Sequence, residues 1–233
     1  MKRYVYLAVA MFLALSDMAL GNLVAQEDQL YSAELRFFNP MEDTRGLYFM
    51  SEGEDQEIRA TFNGPSKSYT FKSNSPNLIL YRIKKNGAAV ERNQVAQIPL
   101  PESGGEFLVF MSPNGSNEED QYLGRVFDDS STTLIKGNTR IHNLTEEPIA
   151  MRYGASEFQV APSDSKTLRT RSGAKGDNGT EVSIDFPVHI VMNTEGRWRS
   201  VYRSIWYPRE DARVQVFIMP QSKKAIRVYQ VMN

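Results

Sequence analysis

The sequence predicts an all-β protein built from two tandem, homologous β-sandwich domains of the immunoglobulin-like kind, following an N-terminal signal peptide. Three observations predict it. The first is a repeated stretch: Pro101-Glu-Ser-Gly-Gly-Glu-Phe-Leu-Val-Phe-Met-Ser-Pro113 returns 107 positions later as Pro208-Arg-Glu-Asp-Ala-Arg-Val-Gln-Val-Phe-Ile-Met-Pro220. Each copy has a proline at both ends, a polar turn and an apolar strand run of the kind expected for a covered β-strand. The second is strand density, with seven to nine short β-rich segments per roughly hundred residues, as in a sandwich. The third is the lack of any helical period after residue 25.

Taken in order, the first half predicts strands at 33–39, 46–51, 57–62, 67–73, 78–84, 94–100, 107–112 and 122–127. The second half predicts them at 139–143, 149–153, 158–160, 166–170, 182–185, 188–192, 198–206, 214–219 and 226–231. All are short, rich in Phe, Tyr, Leu, Ile and Val, and separated by Gly, Pro, Asn and Ser. Asn86-Gly87, Asn114-Gly115 and Asn178-Gly179 suit turns that need a positive φ.

The repeat extends beyond the opening stretch. Arg36-Phe-Phe-Asn-Pro-Met-Glu-Asp43 pairs with Arg140-Ile-His-Asn-Leu-Thr-Glu-Glu147, and Pro65-Ser-Lys-Ser-Tyr-Thr-Phe-Lys72 with Pro162-Ser-Asp-Ser-Lys-Thr-Leu-Arg169. Arg125-Val-Phe127 pairs with Arg227-Val-Tyr229. The offsets are 104, 97, 107 and 102 in unchanged order, so the two halves predict one fold used twice. The expected organisation is a signal peptide at 1–25, an acidic domain at 31–129, a short linker at 130–136 and a basic domain at 137–233.

Composition sets the class. Met1-Lys2-Arg3 followed by an apolar run to Leu15 has the charged and hydrophobic regions of a secretory signal, with small residues before Asn22 or Gln26 for cleavage. The expected location is periplasmic or secreted, with no stable membrane span in the mature chain. The 233 residues include no cysteine, so an exported chain of this kind must be held by its core alone. The formal net charge is −1, which disfavours a general nucleic-acid binder. That total conceals an asymmetry: 26–137 carry 11 basic against 17 acidic residues, whereas 138–233 carry 14 against 10. The two halves differ in surface chemistry.

The sequence holds no recognisable catalytic constellation. There is no cysteine nucleophile, Gly-x-Ser-x-Gly elbow, phosphate loop or His-Glu-x-x-His. Gly173-Ala-Lys-Gly-Asp-Asn-Gly-Thr180 lacks the Gly-Lys-Ser/Thr ending of a phosphate cradle and reads as a hairpin loop. Asn114, Glu118 and Asp120 form no established calcium loop. The only histidines, His142 and His189, fall opposite Phe38 and near Arg82 in the repeat, so they share no duplicated metal site. Asn143-Leu-Thr145 and Asn178-Gly-Thr180 match the glycosylation triplet. No catalytic residue, metal or cofactor is expected.

One stretch departs from its twin. In Arg197-Trp-Arg-Ser-Val-Tyr-Arg-Ser-Ile-Trp-Tyr-Pro-Arg209, strand alternation puts Arg197, Arg199 and Arg203 on one face and Trp198, Tyr202 and Trp206 on the other. The matching region at 90–100 has no tryptophan. Features common to the halves encode the fold, and features of one half alone encode its task. Arg197, Trp198, Arg199, Tyr202, Arg203, Trp206 and Arg209 are therefore the candidate binding residues, with core packing of the aromatic row as the structural alternative. The chain looks, in a generic way, like non-enzymatic bacterial envelope proteins that carry paired sandwich domains. That resemblance implies shape alone. The expectation is an exported, non-catalytic binding or adaptor protein of the cell envelope, its partner an envelope protein or an anionic polysaccharide. A strand at 226–231 offers an edge for a partner strand. A hydrolase or metal carrier is the remote alternative.

Overall fold

A computed structural model describes residues 30–86, 89–114, 121–169, 186–207 and 209–233, and the statements that follow concern these. They contain sixteen strands and no helix. The expected signal peptide, the strand at 182–185 and the loop around Asn178 lie outside them. No helix among the described residues is long and apolar enough to cross a membrane.

The first eight strands are β1 (Tyr31–Phe38), β2 (Leu47–Ser51), β3 (Glu54–Ile58), β4 (Tyr69–Ser73), β5 (Asn77–Asn86), β6 (Ala89–Pro99), β7 (Gly105–Pro113) and β8 (Tyr122–Asp128). The second eight are β9 (Asn138–Asn143), β10 (Ile149–Tyr153), β11 (Ser156–Val160), β12 (Ser165–Arg169), β13 (Phe186–Thr194), β14 (Arg197–Trp206), β15 (Val214–Ser222) and β16 (Ala225–Met232). They form four sheets, ordered β4-β1-β7-β8 and β3-β2-β5-β6, then β12-β9-β15-β16 and β11-β10-β13-β14. Adding eight to each strand number of the first pair of sheets yields the second pair. Even the exception to antiparallel pairing recurs, since β1 lies parallel to β7 and β9 parallel to β15. The fold is two tandem β-sandwiches of one topology.

Register corrects the sequence pairing in two places. Phe38 faces Phe110 and His142 faces Phe217, which agrees with offsets of 104 and 107. However, Arg125 lies opposite Phe110 whereas Tyr229 lies opposite Phe217. Leu35 likewise lies opposite Tyr69, and Thr139 opposite Leu168. Both β8 and β4 are therefore two residues out of step with their expected partners. A slip of two keeps every side chain on its face, so the hydrophobic pattern cannot detect it. β3 also differs, beginning at Glu54 rather than Glu57. Its residues Glu54-Asp55-Gln56-Glu57 carry no apolar alternation, and pairing with β2 alone defines them as a charged edge strand.

Each sandwich closes on its own core. Leu35, Phe37, Leu47, Phe49, Leu80 and Ile98 centre the first, and Ile141, Ile149, Ile190, Trp206, Val216 and Ile218 the second. Strands β7 and β15 are covered on both faces, which buries 107–111 and 214–218 without a break, the polar Gln215 included. The residues that point away from their own cores, Phe38, Leu108, Phe110, Phe217 and Val231, form a third buried cluster joining the sandwiches. Phe110 and Phe217, equivalent in the repeat, meet at 4.8 Å between ring centres. The sheet β4-β1-β7-β8 thus packs face to face on β12-β9-β15-β16, and the other two sheets lie outermost.

Asp129 fixes this junction. Its buried carboxylate accepts from Arg36 Nε at 2.8 Å, Gln215 Nε2 at 2.8 Å and Asn233 Nδ2 at 2.7 Å, and its carbonyl accepts from Arg213 at 2.7 Å. His142 lies in the same layer, stacked on Phe217 at 5.0 Å and against Phe127 at 4.5 Å, with Nε2 3.0 Å from Gln215 Oε1. Burial pushes its imidazole down to about 4, with Arg140 adding to the effect and the Gln215 bond opposing it. Asn143, first residue of a glycosylation triplet, is fully buried and donates to the carbonyls of Glu147, Val160 and Ala161. Its amide is closed to modification in the folded chain.

Candidate functional site

Strand β14 is the outer edge of the sheet β11-β10-β13-β14, and a β-bulge rearranges the faces expected for it. Ile190 pairs with Tyr202 but Val191 with Ser200, so Val201 is the extra residue. One extra residue inverts the alternation on either side of it. Trp198 and Ser200 consequently share the outward face with Arg203 and Ile205, beside Asn193, Val191, His189 and Pro187. Arg197 and Arg199 lie on the side of Tyr202 and Trp206. The expected arginine row and aromatic row are both broken.

The candidates divide accordingly. Trp206 is 5% exposed, donates its indole N–H to the Tyr202 hydroxyl at 3.2 Å and packs edge-on against Tyr153. It is a core residue, and Tyr202 and Val201 pack against the same core. Trp198 is 45% exposed, with Ile205 also exposed on this strand and Tyr207 exposed just beyond its end. Arg197, Arg199 and Arg203 are exposed, and among the described residues none forms an ion pair. Arg209 is held by Asp211, Nε to Oδ1 at 2.9 Å. The seven candidates therefore form no single site, but Trp198 and Arg203 share one surface.

That surface has a groove. Register places Glu157, Arg152, His189 and Arg203 in a line across the four strands, and Gln159, Ala150, Val191 and Ser200 in the next line. Ala150, Val191 and Ser200 are short, so the second line is lower than the first. The resulting open groove of about 350 Å³ is lined by Ala150, Arg152, Glu157, Phe158, His189 and Val191, among others. Arg152 Nε donates to Glu157 Oε1 at 2.7 Å, and His189 Nε2 lies 2.9 Å from Ser200 Oγ. His189 corresponds to Ile79 rather than a residue near Arg82. His142 lies in the layer between the sandwiches and His189 on the far outer face, so they cannot share an ion. The described residues contain no cluster of metal-binding side chains.

The first sandwich shows the same face filled. Its bulge falls between Leu80 and Tyr81, the counterpart of Ile190 and Val191, which aligns the two faces residue by residue. The line equivalent to Gln159-Ala150-Val191-Ser200 is Glu57-Tyr48-Tyr81-Gln94. Tyr48 and Tyr81 stack at 6.4 Å, and the Tyr81 hydroxyl donates to Asp55 in a short bond. Arg92 grips the Asp55 carboxylate at 3.0 and 2.9 Å and caps the Tyr81 ring. Burial and the Asp55 bond push the Tyr81 hydroxyl up to about 12, whereas the bonds from Arg92 and Tyr81 hold the Asp55 carboxyl below its usual range. In the second sandwich Ala150, Val191 and Trp198 replace Tyr48, Tyr81 and Arg92.

Sequence reasoning missed Ala150, Arg152, Glu157 and Val191. The signal for them is the loss of two tyrosines between repeats. It becomes visible only once β2 with β10, and β5 with β13, are aligned through the shared bulge. No protein-family model matches this chain, and no curated protein is significantly similar to it.

Proposed function

We propose that the chain is an exported, non-catalytic binding protein of the cell envelope, an adaptor whose second sandwich engages a protein partner through the outward face of β13 and β14. The observation that carries this reading is the company Trp198 keeps. An exposed tryptophan on an edge strand, with exposed Ile205 and Arg203 on the same face, combines the aromatic and arginine residues that anchor protein interfaces. The equivalent face of the first sandwich instead engages its own residues. The expected signal peptide supports a periplasmic or secreted location.

A photo-crosslinking side chain placed at Arg203 in cells, compared with one at Ile79 in the first sandwich, tests the proposal. The expected outcome is one dominant envelope protein attached at position 203 and absent at 79. Equal labelling at both positions would count against the second sandwich as the contact.

Arg197, Arg199 and Arg203, exposed and without an ion pair among the described residues, support a second reading, that of an anionic-polysaccharide binder. It predicts retention on a polyuronate column that falls steeply with salt and is lost in Arg199→Ala and Arg203→Ala. Retention that withstands salt and both substitutions would remove it.

A further inference from the structure

We infer that the groove over Ala150 and Val191 is a docking site for a tyrosine side chain presented by the protein partner, an inference that rests on the adaptor reading above. The first sandwich supplies the pattern. There the same position on the same sheet, next to the same bulge, holds the stacked phenols of Tyr48 and Tyr81, with the Tyr81 hydroxyl on the Asp55 carboxylate.

The second sandwich keeps the receptor and lacks the occupant. Ala150 and Val191 stand where the two tyrosines stand and leave the groove of about 350 Å³ above them. Glu157 takes the place of Asp55, because Arg152 pairs with Glu157 as Met50 pairs with Asp55. Its carboxylate is held by Arg152 from one side and keeps acceptor capacity for a phenol O–H. Trp198, in the place of Arg92, offers an aromatic face where the first sandwich offers a guanidinium. An incoming phenol would lie flat on Ala150 and Val191 and donate to Glu157, an arrangement that favours tyrosine over phenylalanine.

The probe is N-acetyl-L-tyrosinamide, titrated into the isotope-labelled full chain while backbone amide resonances are followed. Saturable shifts at Ala150, Val191 and Glu157 are expected. Binding should weaken about fivefold for N-acetyl-L-phenylalaninamide and about fivefold in Glu157→Gln. The shifts should be lost when Ala150→Tyr and Val191→Tyr rebuild the filled face. These two substitutions lie on the outer surface and leave both cores untouched, and the unchanged amide spectrum elsewhere verifies folding.

No saturable shift, or shifts that survive in the filled variant, would overturn the inference. Equal affinity for the phenylalanine analogue would remove Glu157 from it. The crosslink at position 203 separates the two proposals. If the filled variant still captures the same partner, the adaptor reading stands and the tyrosine site falls. If the unaltered chain captures nothing while tyrosinamide binds, the adaptor reading fails and the site stands.

Discussion

Trp198 and Trp206 lie eight residues apart on one strand and have opposite tasks. Trp206 fills the core against Tyr153, so Trp206→Ala should lower stability by about 3–5 kcal/mol in denaturant unfolding. Trp198→Ala should change it by no more than about 0.5 kcal/mol, as expected of an exposed side chain. Equal losses would mean that both rings are structural. His142 yields a prediction of pH dependence. Its folded-state pKa, about 4, lies below the unfolded value near 6.5, so the unfolded chain binds the proton first. The neutral side chain imposes no penalty above pH 6.5. As pH falls from there to about 4, stability declines by up to roughly 3 kcal/mol and then levels. In the first repeat Phe38 occupies the His142 position and Leu108 the Gln215 position. The pair His142→Phe with Gln215→Leu should therefore flatten this slope, whereas His142→Phe alone strands the Gln215 oxygen and costs about 1–2 kcal/mol at pH 7. Urea midpoints measured between pH 4 and 7.5 check both.

At the scale of strands, Gly124 in β8 makes the sharpest demand. A Cβ there would sit 2.2 Å from Ile98 Cδ1, in the core where β8 crosses β6. Gly124→Ala should cost about 1–3 kcal/mol through overpacking, and Gly124→Ala with Ile98→Val should recover part of that in thermal melts. Strands at this scale were largely legible in the sequence. The runs around Val109 and Val216 are apolar, Gln215 excepted, because each strand is covered twice, once by its own core and once by the other sandwich. The turns were less legible. Glu52-Gly53 and Glu195-Gly196 hold two of the two-residue hairpins among the described residues, both residues of each with positive φ, where asparagine-glycine pairs were expected elsewhere. Glutamate has no particular preference for that conformation, and glycine alone marks the turn. The bulge at Val201 was not legible at all. No residue type signals it, yet it decides that Trp198 faces outward while Trp206 faces the core. The binding surface therefore required register, and register is set by contacts far apart in the chain.

For the whole molecule, the third apolar cluster and Asp129 make two sandwiches behave as one body. An interface centred on packed aromatics does not slide as a polar interdomain contact does. Asp129→Ala strips Arg36, Gln215 and Asn233 of their acceptor in a buried setting. The expected loss is about 3 kcal/mol, with one thermal transition expected for the intact chain and two for the variant. A variant that still melts in one step at an unchanged temperature would show that the apolar cluster suffices. The duplication itself was legible in Arg36 and Arg140, and in the paired apolar runs. The way the halves meet was not, because Phe38, Leu108 and Phe110 read equally well as residues of their own cores.

The face-to-face junction has a geometric result. Equivalent sheets meet at the middle, so the remaining two look in opposite directions across a stack of four. With sheets about 10 Å apart, the outer pair stand roughly 30 Å from each other. The tyrosine-filled surface around Tyr81 and the groove over Val191 are therefore the two ends of a calliper. Whatever rests on one end cannot touch the other, and the rings of Phe110 and Phe217 hold the jaws at a set span.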